Sequence, residues 1–298
     1  MPAYVQKIKR IVRGLYDWVK LLPHYLSAEY SRLKYQERIE KVMTDYDMVK
    51  EEAEKFFKHR YMAVVSQLIN KKFNGCRNLR VLDAGCGQGR IAIELAKMGC
   101  YIETVDSVKD VIDKGKEYAK IQGVENLISW KHGELPEVLS AYKNDFYDIV
   151  ICFEVLYMMP FQKSKATFES LAKKVKGGGI LIVSLRTRYF YFLYSLLNKD
   201  FLKLKWAAEH NDFTGLGESI SWIDPEQIIE LFKNSGFTGV SRKSIGMISG
   251  IKGDPTGVFC LPALLTEDQK KIVGEIEDKY GEIYPDSGRY LLVWGEKQ

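Results

Sequence analysis

The stretch Arg80-Val81-Leu82-Asp83-Ala84-Gly85-Cys86-Gly87-Gln88-Gly89-Arg90 limits what this chain can fold into more than any other part of it. A β-rich run leads into three alternating glycines and then into Ile91-Ala92-Ile93, which reads as the opening of a helix. Glycine suits a backbone that turns sharply and approaches a ligand with no Cβ in the way, and a following helix start presents unpaired N–H groups. A dinucleotide fingerprint would place its third glycine at position 90. Arg90 stands there, so the nicotinamide or flavin reading loses its key match.

From residue 79 onward short apolar runs alternate with helical patterns, as in a parallel sheet with crossovers. The pattern predicts strands over 79–83, 101–105, 127–131, 147–152, 179–184, 237–243 and 289–294. Helices are predicted near 89–98, 108–121, 135–141, 162–175, 225–234 and 267–279. Asp224, Pro225 and Gln227 form a capping signature before 225–234, with Gly236 as its stop, and Thr266 with Gln269 repeats the capping pattern. Before the sheet, Val5, Ile8, Val12, Leu15, Val19 and Leu22 make one apolar stripe on a helix over 4–22 that Pro23 ends. Further helices are expected over about 28–43 and 46–71. The expected architecture is a doubly wound, mostly parallel seven-stranded Rossmann-like α/β sheet. A helical segment over 1–72 precedes a domain over 73–298, whose cap insertions fall at about 186–221 and 245–288.

The net charge of +5 is unevenly distributed. Residues 1–20 carry Lys7, Lys9, Arg10, Arg13 and Lys20 against Asp17, and residues 186–206 carry Arg186, Arg188, Lys199, Lys203 and Lys205 against Asp200. The remainder has more acidic than basic residues, so these two segments are where an anionic partner is expected. Five scattered cysteines and four histidines lack metal-ligand spacing, so no metal is expected. The longest apolar run, 189–197, is far short of the roughly 20 residues of a membrane span, and no secretory signal is visible; a cytoplasmic location is expected.

The glycine-rich stretch resembles the first motif of the class I S-adenosylmethionine-dependent methyltransferases, and the resemblance runs through about 79–185. It implies that Asp83, Ala84, Gly85, Cys86, Gly87 and Gly89 hold the amino-acid end of S-adenosylmethionine. Asp106, which ends the second strand, is similar to the family's ribose-binding acid, with Ser107 beside it. His132-Gly133-Glu134-Leu135-Pro136 is similar to the stretch that meets the adenine, which implies roles for Gly133, Glu134 and Leu135. Cys152 and Phe153 end a fourth strand similar to the one beside the methyl-bearing end of the cofactor. Tyr46, in the helical segment before the sheet, is a candidate to close over it.

Methyl transfer from a sulfonium is an in-line displacement that needs an aligned nucleophile and, for a hydroxyl or amine, removal of a proton. Candidates for the proton are Glu154 and Tyr157, just past the fourth strand, and His210 in the first insertion. The aromatic and basic run opened by Arg186, Arg188 and Tyr189 follows the fifth strand at the ligand edge, which implies an acceptor-binding role. The expected reaction is methylation of an O or N atom of a small or medium-sized organic acceptor, and the basic segment points to an anionic one. An RNA methyltransferase is the alternative, weakened by the acidic body and the lack of an RNA-binding module. A catalytically silent cofactor-fold partner is another, against which the intact Asp83, glycines and Asp106 stand. The basic helix over 4–22 has the features of one that lies on an anionic membrane surface, although packing against the core is the commoner fate.

Overall fold

The computed structural model describes residues 41, 47 and 49–298. The helix predicted over 4–22, all but Lys41 of that over 28–43, and Tyr46 lie outside the described residues. Helix α1 (Glu52–Phe73) precedes β1 (Arg80–Ala84), α2 (Ala92–Lys97), β2 (Tyr101–Asp106), α3 (Lys109–Ile121), β3 (Ile128–His132), β4 (Tyr147–Cys152), α4 (Phe161–Ala172) and β5 (Val175–Leu185). Then follow α5 (Arg188–Leu197), α6 (Phe201–Glu209), α7 (Pro225–Asn234), β6 (Phe237–Ile245), α8 (Glu267–Tyr280) and β7 (Tyr290–Lys297).

The seven strands form one sheet in the order β3-β2-β1-β4-β5-β7-β6. Strands β1 to β5 pair in parallel, and β7 runs antiparallel between β5 and β6. Order reverses between β1 and β4, the switch point at which open α/β sheets bind ligands beyond the carboxyl ends of their strands.

Strand alternation decides what each face buries. On one face Val81, Ile102, Ile149, Ile151, Ile180 and Leu292 pack against Phe57, Tyr61, Val65 and Ile69 of α1 and Leu95 of α2. On the other, Leu82, Val105, Val150, Leu181, Val183 and Val293 pack against Phe168 and Leu171 of α4 and Ile228 and Phe232 of α7. The first insertion has its own small core of Phe190, Tyr191, Ala207, Phe213 and Trp222.

Both capping signatures form. Asp224 with Gln227 starts α7, and Thr266 with Gln269 starts α8. Two predicted boundaries are corrected. The stretch 135–141 makes only a short 3-10 turn, Glu137–Ala141, and β5 begins at Val175 rather than at 179, because the glycines there belong to the strand. Among the described residues no helix is long and apolar enough to cross a membrane.

Candidate active site

The turn after β1 brings Asp83, the glycines and Asp106 together. Gly85 takes φ +80°, and a Cβ on it would lie 2.1 Å from Val155 Cγ2, so only glycine fits between the turn and the loop after β4. The Gly85 and Cys86 N–H groups donate to the Val105 carbonyl at 2.7 and 3.1 Å, which fastens the turn to β2. Gly87 N–H donates to Asp106 Oδ2 at 2.8 Å and Val108 N–H to Asp106 Oδ1 at 3.0 Å. Burial nevertheless pushes the Asp106 carboxyl above its ordinary value, and it pushes Asp83, 3% exposed, up to about 7 against the opposing pull of Arg90.

These residues fit a nucleoside carrying an amino acid. A carboxylate offers about four lone-pair directions, and the two bonds to Asp106 leave capacity for two ribose hydroxyls. The three glycines of the turn contribute backbone without a Cβ.

At the end of β4 a buried ionic chain begins. Glu154 sits at φ 62°, a left-handed conformation unusual for glutamate, with its N–H donating to Ser184 Oγ at 2.7 Å. Arg90 forms ion pairs with both Glu54 of α1 and Glu154, and all three side chains are nearly buried. Tyr290 OH donates to Glu154 Oε2 at 2.8 Å and lies 3.2 Å from the Tyr157 hydroxyl. Burial alone would raise Glu154, but Arg90 and Arg289 hold its carboxyl well below the usual range.

Several sequence-predicted residues are placed otherwise than expected. Glu154 is bound to Arg90 and held ionised, which makes it a weak proton acceptor in this arrangement. His210 stacks on Trp206 with ring centroids 3.9 Å apart, and its Nδ1 lies 3.1 Å from the Trp206 carbonyl, which gives it a packing role at the end of α6. Arg188 spends its donors on Asp224, on the Ala207 and His210 carbonyls and on Asn211, and so clamps the first insertion. Tyr189 is half exposed. Glu134 is 71% exposed and reaches Lys163, away from the glycine turn. Gly133 stays beside the ribose acid, donating to the Asp106 carbonyl at 2.9 Å, and Leu135 is buried. Ser107 accepts at its carbonyl from His132 Nε2 at 2.9 Å. Cys152 and Ala84 are fully buried, and Phe153 stacks on Tyr61 at 4.7 Å. Arg186 and Tyr157 do meet at the ligand edge: the guanidinium carbon lies 4.5 Å from the Tyr157 ring centre.

The sequence reading missed Glu54, Asp254, Arg289 and Tyr290. The signal it passed over was an arginine immediately before the apolar run Tyr290-Leu291-Leu292-Val293.

Comparison with known proteins gives this arrangement its family. The model of the methyltransferase domain family matches residues 49–242. The chain belongs to that family. A ubiquinone biosynthesis O-methyltransferase of Rickettsia conorii is 30% identical over 251 residues, covering 82% of this chain and 78% of the relative. One of Rickettsia canadensis is 28% identical over 174 residues, covering 58% and 68%. Among solved structures, a magnesium protoporphyrin IX methyltransferase of Synechocystis with bound S-adenosylhomocysteine has TM-score 0.54 at 16% identity, covering 85% of this chain and 88% of that one. An N-methyltransferase of Bradyrhizobium japonicum in complex with S-adenosylhomocysteine has TM-score 0.51 at 16% identity, covering 88% and 97%. These likenesses show the Rossmann-like methyltransferase fold. The protein is an S-adenosylmethionine-dependent methyltransferase.

Proposed function

We propose that this methyltransferase acts on an oxygen or nitrogen atom of a small or medium-sized organic acceptor, held between the end of β4 and the two insertions. The observation that carries this reading is the cluster of aromatic and charged side chains around the ends of β4 and β5 and the start of β7. There the Arg186 guanidinium carbon lies 4.5 Å from the Tyr157 ring centre and 5.3 Å from that of Tyr290. An aromatic enclosure with a few fixed polar groups suits a small organic ligand. The curated relatives act in ubiquinone biosynthesis as O-methyltransferases, which supports oxygen over nitrogen.

In this reading Asp83 and the turn Gly85–Gly89 hold the amino-acid end of the cofactor, Asp106 takes the ribose hydroxyls, and Gly133 and Leu135 border the adenine. The bound cofactor supplies an electrophilic methyl on sulfur, whose departure as a neutral thioether needs no metal. The acceptor's proton then needs a route. It passes to solvent water, while Tyr157, whose hydroxyl lies 3.2 Å from that of Tyr290, orients the acceptor by a hydrogen bond. Glu154 and Arg90 act here as positioning residues that fix Tyr290 and hence Tyr157.

Three of the five basic residues of the segment 186–206 are engaged within the protein, which favours a small acceptor over a nucleic-acid track. Arg186 is enclosed by aromatic rings, Arg188 is bound to Asp224, and Lys203 pairs with Glu218 at 2.6 Å. A screen of phenols, catechols and amines that follows S-adenosylhomocysteine release, with mass spectrometry of the product, tests the reading. Methylated phenols or amines are expected; turnover confined to RNA would overturn it.

A further inference from the structure

Helix α8 buries one face and leaves the opposite one bare. On the inner side Val273 packs against the core, Asp278 accepts from Arg60 Nη1 at 2.6 Å, and Glu277 accepts from the Ile248 and Ser249 N–H groups at 3.1 and 3.0 Å. A Cβ on Gly274 would lie 2.5 Å from the same guanidinium, so α8 sits close on α1. On the outer side Ile272 and Ile276, one helical turn apart, are 57% and 38% exposed, and Ile283 just past the helix is 57% exposed. A helix that holds such a row toward water has apolar area left for a partner. The exposed charges along it are Glu267, Asp268, Glu275 and Glu282 against Lys271 and Lys279, an acidic balance.

Residues 4–22 lie outside the described residues, and their sequence places Val5, Ile8, Val12, Leu15, Val19 and Leu22 at helical spacing. The positions between carry Lys7, Lys9, Arg10, Arg13 and Lys20 against Asp17. That segment complements α8 twice over, since an apolar stripe bordered by positive charge suits an apolar row bordered by negative charge. The two can also meet. Lys270, in the first turn of α8, donates to Glu52 at the start of α1 at 3.1 Å, so the two helices begin side by side. Residues 23–46 join the segment to Asp47, which is fastened to Tyr118 of α3 at 2.6 Å. A link of that length spans more than the roughly 20 Å of a 14-residue helix.

We propose that residues 4–22 dock as a helix on the outer face of α8, with their apolar stripe over Ile272 and Ile276 and their bases beside the acids of that helix. The segment before the sheet is thereby tied to the second insertion, which goes beyond the methyl-transfer reading and does not depend on the acceptor. Other surfaces suit the segment less well. The exposed row Leu196, Leu197, Phe201 and Leu202, where α5 turns into α6, lies among Lys199 and Lys205. The groove between α1 and α2 carries Lys55, Lys58, Arg90 and Lys97 against Glu94. Both set like charge against a basic segment.

Hydrogen–deuterium exchange and carbodiimide crosslinking of the full-length protein, both read by mass spectrometry, test this. The crosslinking uses an equal mixture of isotopically light and heavy chains. Without lipid, the amides of 4–22 are expected to exchange about tenfold or more slowly than an unstructured chain. Crosslinks should join Lys7, Lys9 or Lys20 to Asp268, Glu275 or Glu282 within chains of one isotope. Ile272→Glu together with Ile276→Glu should raise exchange over 4–22 about tenfold and abolish those crosslinks. Val12→Glu with Leu15→Glu breaks the same contact from the other side and serves if the first variant does not fold. Crosslinks that pair light with heavy peptides would assign the face to a second copy of the chain. Protection of 4–22 that arises only with phosphatidylglycerol vesicles would assign the segment to a membrane surface. Either result, or exchange over 4–22 that neither pair of substitutions changes, would overturn the proposal.

Discussion

Gly87 donates its backbone N–H to Asp106 at 2.8 Å, so the turn after β1 is held by the acid that ends β2. One carboxylate thus shapes the turn and keeps capacity for two further hydrogen bonds. Asp106→Ala is expected to weaken S-adenosylhomocysteine binding by about 1–3 kcal/mol, the range for stranding buried polar groups. Calorimetry on a variant shown by circular dichroism to be folded checks this, and an unchanged affinity would remove Asp106 from the site.

Arg90 lies between Glu54 and Glu154, and removing it strands two buried carboxylates. Arg90→Met should lower unfolding stability by about 3–5 kcal/mol, as breaking buried ion pairs does. Urea denaturation measures it. A loss under about 1 kcal/mol would show that the two acids find other partners or take up protons at little expense.

Arg188→Gln is expected to lower stability by about 1–3 kcal/mol and to leave cofactor affinity unchanged, since Arg188 joins α5 to Asp224 and to the end of α6. Thermal melts and calorimetry on the same preparation separate the two effects. Unchanged melting with a changed acceptor KM would return Arg188 to the acceptor site.

Burial raises Asp83 to about 7, with Arg90 opposing and Asp106 adding to the rise. A carboxyl whose folded pKa lies above its unfolded value contributes stability that is complete below the unfolded pKa and is lost as pH rises through the folded one. The Asp83 contribution should therefore fade between about pH 4 and pH 7, and Asp106 shifts in the same direction. A cationic ammonium near Asp83 favours its ionised form, so S-adenosylhomocysteine should bind more tightly as pH rises toward 7 and release protons as it binds. Titrations in buffers of different ionisation enthalpy, on wild type and on Asp83→Asn, check this. A pH dependence that is the same in both proteins would exclude Asp83 as its source.

The glycine turn and the acid that fastens it were legible in the sequence because they are local. Asp83 lies on β1 just before the turn Gly85–Gly89, and Asp106 ends the next strand, so spacing alone brings them together. The strands were legible for the same reason, with errors at ends set by packing: the fifth strand was expected to start at 179, yet β5 extends back through the glycines at 177–179 to Val175. The ionic chain was not legible. Arg90 and Glu54 are 36 residues apart and Tyr290 and Glu154 are 136 apart, and no periodicity relates such partners. Arg90 entered the reading only as a missing glycine, although the structure makes it the joint between α1 and the end of β4. His210 and Arg188 looked functional by type and place, and their partners Trp206 and Asp224 were not legible in the sequence.

The most direct test of the whole account is a pair of calorimetric titrations of the purified protein, one with S-adenosylhomocysteine and one with NAD. The geometry of the glycine turn and Asp106, with Arg90 at the position of a third glycine, predicts saturable binding of S-adenosylhomocysteine and none of NAD. Saturable NAD binding with no response to S-adenosylhomocysteine would contradict it.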